Sequence, residues 1–336
     1  MFTHKRITQT ILKLFLLPSR NFTLTIPLML CTGFVAGLFI DTSLLKNYLL
    51  FATVLMIYPT MIGIRIREVF DLSHYRLILT ASAINFILVP ALAYLLGIIF
   101  LKAEPQLFAG LIIASLLPTS NMTIAFTLFA GGNVPAAVKL TVVSLVAGSL
   151  VAPWYLLVMI GSYIEIDMAS IIKIISVVVF IPLAMGFATY YLFFKRFSHG
   201  KFNEVIKPLL PAVSAWGAVY VIFTGASTNA RLIVSQPKLL VYALIAWVFF
   251  YAVNYFIAIK LGCRYFTRQD TLTLIFGTVL RNLAISIGLA ATAFGVKAAL
   301  MVSLAFLFQG QSAAWFIRLD ERYKILPDNS AEAENI

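Results

Sequence analysis

The sequence predicts an all-α polytopic membrane protein of about ten transmembrane helices, arranged as a 5+5 inverted repeat with broken, crossing helices four and nine. Three observations predict it: apolar runs of membrane-spanning length, cationic residues biased to alternate connecting segments, and self-similarity at an offset of 162 residues.

Hydrophobic residues make up 61% of the 336-residue chain and charged residues 11%, against about 45–50% and about 25% in soluble domains. Residues 1–21 precede the first span. Their stretch 7–17 is apolar, but Lys13 interrupts it and no small-residue cleavage site follows, so it reads as an interfacial helix and not a signal peptide. The apolar spans then run 22–40, 47–64, 77–101, 106–130, 135–160, 168–194, 208–226, 239–259, 271–294 and 298–317. Each is long enough for a hydrocarbon core that takes about 20 residues of helix. Helices are required because unpaired backbone is too costly in lipid, and the runs show no period-2 alternation. The organisation that follows is a cytoplasmic segment 1–21, a first five-helix repeat 22–162, a second 163–318 and a cytoplasmic tail 319–336.

The net charge of +12 invites a nucleic-acid reading, which its distribution rejects. With the N-terminus inside, cytoplasmic segments hold seventeen of the 25 Lys and Arg residues and outer segments six. That is the positive-inside bias; it places both termini in the cytoplasm, with the plasma membrane as the expected location. The two cysteines, Cys31 and Cys263, suggest neither a disulfide framework nor a metal site. His4, His74 and His199 fall in polar cytoplasmic segments, where a solvated role is expected. With no His, Asp or Glu inside the spans, an intramembrane enzyme lacks its chemistry, and no cofactor is implied.

Two charges remain inside spans. Lys139 lies about 6 Å deep in span five, where its stem can snorkel to the interface. Arg281 lies about 15 Å from either end of span nine, too deep for that. It must face water, a partner or a substrate, and an anion is the expected substrate because no span offers a carboxylate. The competing reading is that Arg281 caps carbonyls exposed where the helix breaks.

Self-comparison sets VPAAVKLTVVSLVAGSLVAP from Val134 against VKAALMVSLAFLFQGQSAAW from Val296. Extended upstream, the same register sets Thr119 and Ser120 against Arg281 and Asn282, the most polar clusters of spans four and nine. Five spans per half is an odd number, so the second half enters the membrane inverted. In such repeats the substrate site lies near the midplane where interrupted helices meet. Span four breaks at Pro118, followed by Thr119, Ser120 and Asn121; the break of span nine rests on Gly277, Arg281 and Asn282. The alternative for the first is a kinked helix whose hydroxyls bond back to their own backbone. Asn85 in span three reads as an interhelical hydrogen bond.

The runs IYP (57–59), NFILVP (85–90), LLPTSNMT (116–123), AGGNVPAAVKLT (130–141) and RNLAISIGLA (281–290), in this order, resemble the bile acid:sodium symporter superfamily, which includes the arsenite efflux permeases of the arsenical-resistance type. The thirteen residues from Thr119 to Gly132 look closer to the permease spacing. The resemblance implies a sodium site from Ser120, Asn121 and Thr141 with an acid five residues before Asn282, where this chain has Gly277. A second site would use a side-chain amide where this chain has Arg281. The permeases' cysteine and glutamate positions hold Thr119 and Ala284. It also implies movement of spans 3–5 and 8–10 against spans 1, 2, 6 and 7.

The expected function is secondary active transport of a small organic anion or oxyanion, with Arg281, Asn282, Thr119 and Ser120 binding substrate and Ser120, Asn121 and Thr141 the remaining ion ligands. Sodium or a proton is the candidate coupling ion, and a two-sodium pattern is not expected. Arsenite efflux is the alternative, and a non-transporting scaffold or sensor the alternative of another class. The lipid bilayer and a small anionic solute are the expected partners. Cysteine-accessibility labelling checks the topology: the 195–207 loop should react only from the cytoplasmic side and 161–167 only from outside. One reversed result breaks the scheme.

Overall fold

The computed structural model describes residues 15–19, 21–62, 73–165, 167–196, 209–235 and 237–327. Its helices, in chain order, are α1 (Phe22–Phe39), α2 (Leu49–Met61), α3 (Tyr75–Phe100), α4 (Pro105–Leu116), α5 (Asn121–Phe129), α6 (Val134–Ile160), α7 (Met168–Phe193), α8 (Leu210–Thr228), α9 (Ala230–Ser235), α10 (Pro237–Tyr265), α11 (Arg268–Val279), α12 (Leu283–Ala293) and α13 (Val296–Tyr323). A 3₁₀ turn, Ser43–Tyr48, leads into α2. No strand occurs among the described residues; the extended backbone forms one isolated bridge, Pro118 with Arg281. Among the described residues, seven helices are long and apolar enough to cross a membrane, and α1, α4 and α12 are shorter apolar ones. This is a multi-pass membrane protein. Predicted spans four and nine are each interrupted, as α4/α5 and α11/α12.

Helix starts follow local chemistry. Proline opens α4 and α10 or sits in the first turn of α6 and α8, where its missing N–H costs nothing. Asn133 caps α6, its Oδ1 accepting from Ala136 N–H at 3.1 Å, and Asp167 caps α7 through Ala169 N–H at 3.0 Å. That exposed Asp167 also accepts from Ser170, and these bonds hold its carboxyl below the usual range. Inside α3, residues Ile84–Leu88 take a π turn just before Pro90. Proline removes the bond to the carbonyl four residues back, which is Phe86, and Tyr155 Oη donates to that carbonyl instead. The same device recurs in α7, where Ser176–Phe180 forms a π turn ahead of Pro182.

Packing divides the helices into two groups. α1, α2, α7 and α8 pack on one another; α3–α6 pack with α10–α13. The groups meet chiefly where α12 lies on α2 and α13 on α8. Small residues allow the tightest approach: a Cβ on Gly37 of α1 would stand 1.9 Å from the Ser227 carbonyl of α8. Two sequence expectations find their outcome here. Lys139 is 4% exposed and directs its ammonium to the Ser73 carbonyl in the segment ahead of α3. His74 is exposed as expected, with Nδ1 3.3 Å from Asn133 Nδ2, while His4 and His199 lie outside the described residues.

Gly37→Val should force α1 off α8. A loss of about 1–3 kcal/mol is expected for overpacking a tight contact. It would be read as a lower melting temperature in detergent without loss of membrane insertion.

Candidate functional site at the helix crossing

The two breaks cross each other. Segment 117–119 runs antiparallel to 280–282, with Thr119 N–H donating to Leu280 O at 2.9 Å and Asn282 N–H to Leu117 O at 2.8 Å. Each break therefore repairs the other. Of the carbonyls whose helical donors are lost in this exchange, four find new side-chain donors: those of Ala114, Ser115, Gly277 and Thr278. Pro118 has no N–H for Ala114 O, and Thr119 N–H has left Ser115 O. Asn282 N–H has left Thr278 O. Arg281 N–H has left Gly277 O for Gln309 Oε1 at 2.8 Å.

Arg281 supplies most of the repair. Its side chain is fully buried. Nε donates to Ala114 O at 3.4 Å, Nη2 to Ser115 O, and Nη1 to Thr278 O at 3.0 Å and Asn85 Oδ1 at 2.6 Å. Asn85, swung inward in the π turn of α3, donates through Nδ2 to Gly277 O at 2.9 Å. Asn254 Nδ2 adds a long contact of 3.4 Å to Thr278 O. Gln309 of α13 clamps the extended peptide on both sides: Oε1 takes Arg281 N–H and Nε2 donates to Arg281 O at 3.1 Å. Electrostatically, the C-termini of α4 and α11 point negative ends at one place, and the guanidinium lies between them. Every oxygen it meets is neutral. Its nearest acid in sequence, Asp270, is in the first turn of α11 and accepts from Asn133.

The opposite, positive ends of two half-helices also start at the crossing. Ser120 caps α5, its Oγ accepting from Met122 N–H at 3.2 Å while Thr123 Oγ1 accepts from Ser120 N–H at 3.1 Å. Asn282 caps α12 through Ile285 N–H at 3.3 Å. Between the bridge and the Ser120 cap, Thr119 is held at φ 61°. A β-branched residue in that region is strained, and such strain collects at functional sites.

Thr119, Ser120, Arg281 and Asn282 are thus brought together at one crossing. In this conformation the guanidinium directs its hydrogen bonds to carbonyls and Asn85, the geometry of the capping alternative. Thr141 does not reach toward it: Oγ1 donates within its own helix to Ala137 O at 2.8 Å. The side chain of Asn121 lies outside the described residues. At Gly277, a Cβ would stand 2.3 Å from Leu140 Cδ2, so Leu140 fills the room an acidic side chain would need. Sequence reasoning gave Asn85 its interhelical bond but not its bond to Arg281, and it passed over Gln309. The available signal for Gln309 was an uncharged amide in the middle of span ten. A cavity of about 550 Å³ opens at another place, between the start of α4, the start of α7 and the α12–α13 turn. Glu104 and Lys297, 3.1 Å apart, share its wall with Glu165 and Asp167. None of its lining residues comes from the crossing segments.

The chain matches the profile of the Sodium Bile acid symporter family over residues 50–236, more than half its length. It belongs to that family of transporters. Among its relatives, the Uncharacterized protein YbaS of Bacillus subtilis (strain 168) is 27% identical over 259 residues, 76% of this chain and 82% of that protein. The Uncharacterized protein PA2026 of Pseudomonas aeruginosa is 28% identical over 275 residues, 78% and 79% of the two chains.

Asn85→Leu should leave Gly277 O and one Arg281 N–H without partners in a buried place. The expected cost is about 2–4 kcal/mol for the two orphaned groups. A melting temperature equal to that of the wild type would show that the crossing does not depend on this bond.

Proposed function

We propose that the protein is a secondary transporter moving a small organic anion or oxyanion across the plasma membrane, with ten crossings, inverted five-helix halves and both termini in the cytoplasm. Family membership supports the transport class. The observation that carries the anionic substrate is the charge of Arg281, which is satisfied in hydrogen bonds but not neutralised by any carboxylate among its bonded partners. A buried charge acts over a longer range than in water because screening is weak. It favours an anion at the adjoining N-termini of α5 and α12, where Ser120, Asn282 and Thr119 stand. Binding there needs the hydroxyl and amide groups of the caps to turn toward the solute.

Alternating access follows from the two packing groups, α3–α6 with α10–α13 rocking against α1, α2, α7 and α8. The pairing of 117–119 with 280–282 supports the repeat, since self-comparison sets the overlapping segments 118–120 and 280–282 against each other. In the proposed topology the 550 Å³ cavity opens outward, and its size suits a small solute. The ion ligands Ser120, Asn121 and Thr141 lack an acid beside them, with Leu140 packed at Gly277, so an obligatory sodium is not proposed there. Arsenite would meet neither thiolate nor carboxylate at the crossing: the relevant positions are Thr119 and Ala284.

Thermal stabilisation of purified protein against carboxylates, sulfated steroids, arsenite and simple cations tests the substrate class. One or more organic anions or oxyanions should raise the melting temperature and, in proteoliposomes, drive inward movement of negative charge. Arg281→Gln removes the charge and should weaken anion binding by about ten-fold or more, equivalent to about 1.4 kcal/mol. Stabilisation and flux confined to cations or arsenite would overturn the anionic reading.

A further inference from the structure

We infer that Arg281 is a tethered counter-cation: its guanidinium permanently occupies a cation site built by the two broken helices, so that transport proceeds without sodium or any other bound metal ion. The site is defined by its oxygens. Ala114 O and Ser115 O come from the C-terminal turn of α4, Thr278 O from that of α11, and Asn85 Oδ1 from the π turn of α3. Carbonyls at half-helix C-termini, together with a side-chain amide oxygen, are the ligand type that holds a monovalent cation inside a transporter. A hard cation would be held by oxygens at similar range. Here the positive charge arrives on a side chain from within the crossing itself, and it cannot leave.

Two further features fit a site whose cation is covalently attached. The guanidinium is fully enclosed, so exchange with ions in solution has no path in this conformation. A plain structural cap on one helix would need only one set of carbonyls, whereas Arg281 joins three elements through four N–H···O contacts. A mobile ion would contribute its charge only while bound, and transport would then follow the ion gradient. A tethered one contributes the charge in every state, leaving movement of the solute to follow its own gradient and the membrane potential. The inference rests on the transporter reading, but its first readout does not.

That readout is chemical rescue of folding. Wild-type protein should melt at the same temperature in sodium and in choline, and should be unaffected by about 10 mM guanidinium or N-methylguanidinium, well below denaturing levels. Arg281→Ala should melt lower and recover with guanidinium at that concentration, or with sodium entering the vacated oxygens, while urea gives no recovery. Wild-type uptake of whichever anion the substrate screen identifies should change less than about two-fold when choline replaces sodium. Arg281→Ala should lose about a hundred-fold in rate, as expected when a buried charge is removed from a bonded network, and regain part of it with guanidinium. If Arg281→Ala fails to fold, Arg281→Lys and the wild-type sodium comparison decide the matter: Lys should retain sodium-independent stability at a lower melting temperature. Sodium-dependent melting or sodium-dependent uptake by the wild type would overturn the inference. So would folded Arg281→Ala that responds to neither cation. Absence of any transported anion, with rescue of melting intact, would count against the substrate reading alone.

Discussion

A helix cannot break in the middle of a membrane unless each backbone group it releases finds another partner. In this protein that constraint is met by reciprocity. Leu117 and Leu280 accept each other's displaced N–H groups across the crossing, from Asn282 and Thr119. Four of the carbonyls left behind converge on one guanidinium and one amide. Removing either break would strand the groups of the other, so neither half of the crossing is stable without its partner. The positions of α3 and α13 follow from the same need, because Asn85 and Gln309 must reach the released groups from opposite helices.

The electrostatic consequence is that hydrogen bonding and charge are settled separately. Neutral oxygens satisfy the donors of Arg281, and the C-terminal dipoles of α4 and α11 lower the cost of burying it. Neither cancels its unit charge. The acids of the described residues stand at the ends of the bundle: Glu104 with Lys297 at one, Asp320 with Arg268 at the other. Leu140, packed at Gly277, keeps the region beside the crossing apolar. A solute of negative charge is what such a field favours, and the strain held at Thr119 places a weakly committed backbone directly beside it.

The two packing groups differ in how they are tied. Within the group that contains the crossing, side chains reach backbone carbonyls of neighbouring helices, as Trp247 Nε1 does to Met301 O at 3.0 Å and Tyr155 Oη to Phe86 O. Between the groups, Gly288 of α12 lies close against Thr53 of α2, and Asn229 Nδ2 at the end of α8 donates to Val296 O of α13 at 3.1 Å. The hydroxyl of Thr53 is buried there without a partner. An interface tied by few specific bonds resists sliding less than a network of them, which is the mechanical condition for one group to move on the other.

Sequence alone determined the class of protein and the sites of both breaks, and it singled out Arg281 as the cation to be buried. Those follow from local rules: apolar length, proline's missing N–H, and the inability of an arginine at Arg281 to reach the interface. It also set Thr119 and Ser120 against Arg281 and Asn282 before any contact was known. Only the tertiary structure decided what the guanidinium touches, because its acceptors lie on α3 and α4, more than 160 residues away in the chain. The same holds for Gln309, whose amide reads as an ordinary polar residue until the extended peptide beside it is seen. Lys139 shows the same from the other side: depth along a helix does not reveal that the Ser73 carbonyl will receive its ammonium. Local sequence fixes which backbone groups will be left over; the packing of distant segments fixes which groups receive them.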